Sequence, residues 1–289
     1  MPGFQSIKEL VEASEAGATR LSTWRKTPSQ VTTAGVWFDL SLSPGNPSPQ
    51  YYAAAPSIAI ALAQSSDGGI FHGANVAPQF KFLRRMMVIS TTASVVPMPM
   101  ILCDYLMFYP FIDEGTNDEQ PLTNIVTLPR YPEGAGVQIM PVVVAAGAGG
   151  AGVTFICTYT NSAGVSGRVT VASALSTQVV NGTIASATAT NGLNGPFLPL
   201  QAGDSGVRSI QSVTFNGLTD VGLITLVLVK PLAQLSIRGI DAPVEIDYFI
   251  DAGGGMPRIV DDAYLNCICH PNGTLANAPI HGLIETTFS

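Results

Sequence analysis

Four side chains with metal-ligand chemistry fall within "CICHPNGTLANAPIH". Cys267, Cys269, His270 and His281 are two of the chain's four cysteines and two of its three histidines. Thiolate sulfur and imidazole nitrogen are the donors of structural zinc sites, so the first question is whether the four converge on one ion. Such sites take two cysteines about two to four residues apart, with a tight turn that brings both sulfurs to the metal. Cys267 and Cys269 have a single residue between them. On an extended strand they share a face with Leu265, while Tyr264, Asn266, Ile268 and His270 take the other. Cysteines that continue a face begun by leucine act as small buried hydrophobes. Cys103 and Cys157 stand singly in apolar runs and supply no second pair. The stretch reads as the end of a β-strand before the turn "PNG", and no metal ligand is assigned.

The remaining reactive residue types form no constellation either. His72 in "GIFHGANV" has no nucleophile motif beside it, and no G-x-S-x-G occurs. There is no P-loop, no H-E-x-x-H and no dinucleotide-binding fingerprint in a strand–helix setting. The adjacent acids Asp113/Glu114, Asp118/Glu119 and Asp261/Asp262 are the one pattern suited to a glycosidase, which flanks a sugar with two carboxylates. Neighbouring residues on an extended chain point opposite ways, so these acids read as solvated loop charges. The run Asp113–Glu119 lacks the ordered oxygen spacing of a calcium loop. No catalytic or cofactor-binding residue is assigned, and the chain is expected to be no enzyme and to carry no cofactor.

Composition narrows the partners. The 289 residues are 46% hydrophobic and 11% charged, with a net charge of −7. Soluble domains carry roughly 25% charged residues. Lysine occurs only at positions 8, 26, 81 and 230. A surface this poor in charge implies extensive contact with other protein. The negative balance argues against nucleic acid, and the clusters Arg20, Arg25, Lys26 and Lys81, Arg84, Arg85 read as interface or solvated faces. The N-terminus has no apolar signal-peptide core, and the apolar run Val95–Ile112 is broken by Pro97, Pro99 and Pro110 and contains Asp104. No membrane span is expected, and the cysteines are expected reduced in the cytoplasm where the chain is made.

The elements that must position these residues are mostly strands. Ser6 and Glu9 form a capping box for a helix over about residues 6–16, striped by Ile7, Leu10 and Val11 and stopped at Gly17. "ATRLSTWRKT" reads as a further helical turn or two before Pro28. Beyond it, "VWFDLSLS" alternates, with Val36, Phe38, Leu40 and Leu42 on one face and Trp37, Asp39 and Ser41 on the other. "PGNPSPQYYAAAP" reads as an extended Pro-rich arm or ordered loop. "FKFLRRMMVIS" and "MILCDYLMFYPFI" follow as core strands, then the acidic exposed loop "DEGTNDEQPLT". "VTFICTYT" and "SGRVTVAS" form a hairpin about "NSAGV", followed by strands "VRSIQSVTFN", "VGLITLVLV", "LSIRGI" and "VEIDYFID". "AGAGGAG" (146–152) and "NGTIASATATNGLNG" (181–195) are expected tip loops. Strands at this spacing without intervening helices predict a mainly β fold: a β-sandwich, jelly-roll-like, over 57–289, preceded by a helix and extended arm over 1–56.

That texture and several strings resemble tailed-bacteriophage virion structural proteins. The likeness rests on "MPGFQSIKELVEASEAGATRLSTWRKTP", "YYAAAP", "DEQPL…TLPRY…GAGVQ", "GPFLPLQAGDSGVRSI" and "APIHGL", and it spans nearly the whole chain. It carries no catalytic residues. It implies a particle component made and assembled in the host cytoplasm, a capsid decoration (cement) or minor capsid protein that contacts the major capsid protein and itself, as a trimer or dimer. The main shell subunit is not implied, because its long spine helix has no counterpart here. Tail or collar protein is the alternative within the class. A carbohydrate-binding or hydrolytic β-sandwich is the alternative outside it, and its aromatic cleft is not supplied by Tyr105, Phe108, Tyr109 and Phe111, which sit in a core-strand run.

Overall fold

A computed structural model describes residues 4–147, 153–175, 180–186, 195–217, 221–253 and 255–289. Residues 148–152 and 187–194 of the two expected tip loops lie outside that set. The helix α1 spans Ile7–Glu15, with Ser6 Oγ accepting from Glu9 N at 3.3 Å and Leu10 as its buried residue. Gly17, at φ 77°, ends it by taking the left-handed conformation that glycine adopts without steric cost.

Seventeen strands follow among the described residues. They are β1 Thr19–Lys26, β2 Phe38–Asp39, β3 Gly45–Asn46, β4 Ile60–Ala61, β5 Lys81–Ser90, β6 Met98–Asp113, β7 Gln120–Pro121, β8 Gln138–Ala145 and β9 Thr154–Asn161. The remainder are β10 Arg168–Val169, β11 Ser173–Ala174, β12 Val207–Asn216, β13 Leu223–Ile237, β14 Val244–Asp247, β15 Arg258–Ile259, β16 Leu265–Cys269 and β17 Ile280–Phe288. The fold is mainly β, built as three antiparallel sheets with a short N-terminal helix. One sheet runs β14-β5-β17-β1-β3, a second β10-β9-β12-β7, and the central one β2-β16-β6-β13-β8.

The central sheet is apolar on both faces. Along β13, Leu226 and Leu228 enter one core cluster while Val227 and Val229 enter another, as alternate residues of a strand must. The first cluster is shared with Phe155, Cys157 and Tyr159 of β9 and with Val213 and Phe215 of β12. Further along, Met98, Met100 and Leu102 of β6 meet Trp24, Met86 and Ile284 of the sheet that holds both chain ends. The β6–β13 ladder, from Leu223↔Asp113 to Ile237↔Met98, therefore serves three cores. Most of "VGLITLVLV" and the first three residues of "LSIRGI" belong to this one strand, β13. Pro231 is tolerated within it because β8 pairing stops at Val229 and the ladder bulges beside the proline.

Three local expectations are corrected. "ATRLSTWRKT" is not helix but β1, paired along its length with β17, so residues 19–26 share a sheet with the C-terminus. Its alternation of buried Ser22, Trp24 and Lys26 with exposed Leu21, Thr23 and Arg25 fits a one-sided strand, and that pairing overrides helix propensity. "VWFDLSLS" does not continue as a strand: after Phe38–Asp39 the chain turns into a 3-10 helix, because Asp39 caps the N–H of Ser41. Phe38, Asp39, Leu40 and Ser41 are all buried as a result. The loop after β6 is exposed at Asp113, Asp118 and Glu119, but Glu114 is fully buried against Gly222.

The β1–β17 pair also sets a glycine. Gly282 lies opposite Trp24, and a Cβ there would come within 2.1 to 2.3 Å of the indole. Gly282→Val is expected to destabilise the fold by about 1–3 kcal/mol through overpacking, read as a lower urea midpoint at unchanged slope.

Candidate functional site

The structure does not bring the opening four side chains together. Cys267 and Cys269 are fully buried on β16 in the cluster shared with Trp24, and burial pushes both thiols up. His270, just past that strand, packs against Trp37 with ring centroids 5.2 Å apart and the planes inclined by 59°. His281 belongs to a different sheet, on β17 between Arg25 and Ile89. Among the described residues, no group of three or more His, Cys, Asp or Glu is placed to hold a metal ion. Cys103 and Cys157 are likewise free and buried.

The paired acids fasten loops. Asp261 accepts from Val76 N and Ala77 N, both at 3.0 Å. Asp262 accepts from Ser65 N at 2.8 Å and Ser65 Oγ at 2.9 Å. Of the aromatic group on β6, Tyr105, Phe108 and Tyr109 are buried and Phe111 is half-buried.

Two perturbed titratable groups, His72 and Lys81, meet in a cleft of about 470 Å³ also lined by Arg20, Asn75, Thr286 and Phe288 among others. His72 sits at its base, 1% exposed. His72 Nε2 is 2.9 Å from the carbonyl of Ala263, which only accepts, so Nε2 carries the proton. Nδ1 then accepts from Lys81 Nζ at 3.1 Å. Burial, and then the Lys81 charge, hold the imidazole pKa down to about 4. Lys81 is held below its ordinary value by burial and also donates to Ala74 O at 2.8 Å. Both ring nitrogens are engaged, so the imidazole has no lone pair to offer as a general base. The hydroxyl of Thr286 donates to the carbonyl of His72 and is not aligned with the ring. The cleft has polar walls without a nucleophile–base pair.

Two further buried networks were not visible in the residue order. Asp39, fully buried, accepts from Ser41 N at 2.9 Å, Ser41 Oγ at 2.7 Å, Tyr52 OH at 2.6 Å and Tyr105 OH at 2.7 Å. Burial raises its carboxyl pKa, against those four bonds. Beside it Lys26 Nζ donates to Ser43 O at 3.1 Å and Pro47 O at 2.8 Å, and burial lowers its pKa to about 8. Asp104 and Arg130 form a bidentate pair at 2.8 and 2.9 Å, and Arg130 also donates to Leu62 O and Tyr105 O. Burial lifts the Asp104 pKa to about 6 despite the guanidinium. A lone Asp inside "MILCDYLMFYPFI" was the signal that a buried cation had to exist; nothing in the order of residues pointed to Arg130.

These networks decide between the two readings of the Pro-rich segment. Residues 38–52 are clamped through Asp39, Tyr52 and the Pro47 carbonyl to the chain's own core, so this part of the segment is an ordered loop. No helix among the described residues is long and apolar enough to cross a membrane.

No family model matches the chain. No curated protein matches it either. Among solved structures, one of infectious bursal disease virus, Gt strain, aligns at 9% identity and a TM-score of 0.19 over 93% of this chain and 80% of that one. The VP2 subviral particle of infectious bursal disease virus aligns at 10% identity and a TM-score of 0.17 over 94% and 80%. Scores this low carry no argument about fold or role.

Buried thiols with raised pKa react slowly. All four cysteines are expected to resist a thiol reagent at pH 8 in the native protein and to titrate fully in denaturant. His72 generates a pH dependence. Its folded pKa of about 4 lies below the ordinary 6.5, so the unfolded chain binds the proton first and stability falls as pH drops through that window. The loss should reach about 3 kcal/mol. Asp104, raised to about 6, acts with the opposite sign. The check is therefore the difference between wild type and His72→Gln in urea unfolding from pH 7 to pH 4, with the variant losing less.

Proposed function

We propose that this protein is a structural component of a bacteriophage virion, a capsid decoration or minor capsid protein that binds neighbouring subunits and performs no catalysis. One observation carries the reading: the chain has few charges, and several of them are turned inward. Lys26, Asp39, Lys81, Asp104 and Glu114 are buried, in a chain with only 11% charged residues. Meanwhile Ile7, Val31, Ile125 and Ile250 are each more than 60% exposed. Single exposed apolar residues are ordinary, but with so thin a charged skin they favour a surface that is covered in use.

The sequence resemblance to tailed-phage virion proteins supports the same class. The clamped Pro-rich loop shifts the expected contacts to α1, to strand edges and to surface loops. Cement proteins hold particles by many modest contacts repeated by symmetry, which needs shape more than reactive groups. The carbohydrate-hydrolase alternative finds no support in the cleft, whose imidazole is locked.

The test is to locate the chain in purified virions by electron microscopy and to heat particles with and without it. Density on the capsid and a lower temperature of genome release without it are expected. Density on the tail would end the cement part of the proposal. A chain absent from virions that cleaves glycans would end all of it.

A further inference from the structure

The sheet that holds both chain ends contains a strand paired along one side only. β1 matches β17 from Thr19↔Thr287 to Lys26↔Ile280, but β3 covers its other side at Arg25 and Lys26 alone. The ladder shows which groups that leaves open. Phe288 N donates to Ala18 O, so Ala18 and Phe288 begin the register as a hydrogen-bonded pair. Such pairs alternate along an antiparallel ladder. Arg20, Ser22, Trp24 and Lys26 therefore turn their N–H and C=O groups to β17, and Thr19, Leu21, Thr23 and Arg25 turn theirs away. The Arg25↔Asn46 pairing and the bond from Thr27 N to Pro44 O fit this phase. Thr19, Leu21 and Thr23 are left with outward backbone groups that no described residue bonds.

Other long strands are not left this way. The free side of β8 accepts from Leu198 N at Ile139 O and from Ala185 N at Pro141 O, and its own Val143 N donates to Thr183 O. That of β12 meets β7 and accepts from Leu122 N. An open edge is a template for another strand. Leu21 is 55% exposed beside it, and Arg20 is drawn onto the Phe71 ring at 4.4 Å.

We propose that β1 pairs antiparallel with β1 of a second copy, about a two-fold axis through Leu21, so that one sheet runs continuously across a dimer. The three open residues are symmetric about that axis. Thr19 meets Thr23 of the second copy, Leu21 meets Leu21, and Thr23 meets Thr19, which satisfies every open backbone group. Cross-strand threonines and opposed leucines are favourable neighbours, and Arg20 falls opposite Ser22. Centring the axis on Arg20 would set the two arginines against each other. Centring it on Ser22 would press Thr19 against Arg25, whose outward groups β3 already holds. The inference stands apart from the virion reading, since it concerns the protein alone in solution.

Sedimentation velocity of the full chain at micromolar concentration is expected to show a dimer. Leu21→Lys and Leu21→Glu should each be monomeric with an unchanged far-UV spectrum, and an equimolar mixture of the two should recover the dimer. All native thiols are buried, so Leu21→Cys adds the one surface thiol. Mild oxidation should cross-link it as a disulfide dimer, whereas Thr23→Cys, opposite a threonine, should not cross-link. The cysteine pair decides the matter if the charged variants fail to fold. A wild-type monomer or trimer, a dimer indifferent to Leu21→Lys, or equal cross-linking at both cysteines would overturn the proposal.

Discussion

Two-sided burial of the central sheet is the constraint on which the rest depends. β6 and β13 have apolar residues on both faces, so neither face can be left to water. Each face needs a cover, and the covers come from distant parts of the chain. β9 and β12 close one core, the sheet holding both termini closes a second, and the 36–62 segment packs on a third. A half-covered strand pair of this length would expose an apolar edge and face together, the condition that drives aggregation. The small sheets, the clamped loop and the placement of the chain ends all answer that requirement.

Polar groups inside this arrangement hold the covers in register. Asp39 lies where the 38–52 segment meets Tyr105 of β6, and Lys26 ties the same segment to β1. Asp104 on β6 anchors Arg130, whose guanidinium also reaches Leu62 and Tyr105 carbonyls. A buried ion costs several kcal/mol in desolvation, so such groups are poor sources of stability but strict selectors of geometry. Removing one partner leaves the other unpaired in a medium that cannot solvate it. The one arrangement that satisfies all of them is the one observed, and the raised carboxyl and lowered amine pKa values mark where that tension lies.

The same economy of charge bears on function. Ionisable groups that might have served chemistry are engaged as fasteners: His72 on both nitrogens, Asp261 and Asp262 on loop amides, Asp204 held near pKa 2 by Arg168 and Tyr159. Among the described residues the surface also offers scattered apolar side chains and an open strand edge. Those features support the association between subunits proposed above.

Residue order alone determined the class of fold and much of its content. Alternation and turn residues marked β5, β6, β12 and β16, and the capping box marked α1, because these signals are local and each element's own periodicity carries them. The C-x-C spacing likewise sorted Cys267 and Cys269 into a core face before any partner was known. The tertiary structure decided what depends on pairing between distant residues. Thr19–Lys26 is strand and not helix because the last nine residues of strand lie beside it. Asp39 is buried because Tyr52 and Tyr105 converge on it, and Asp104 because Arg130 does. The Pro-rich loop is clamped, not reaching, because a lysine upstream of it in sequence meets its carbonyls in space. Long-range pairing leaves no mark in a window of neighbouring residues, so these positions were silent until the chain was folded.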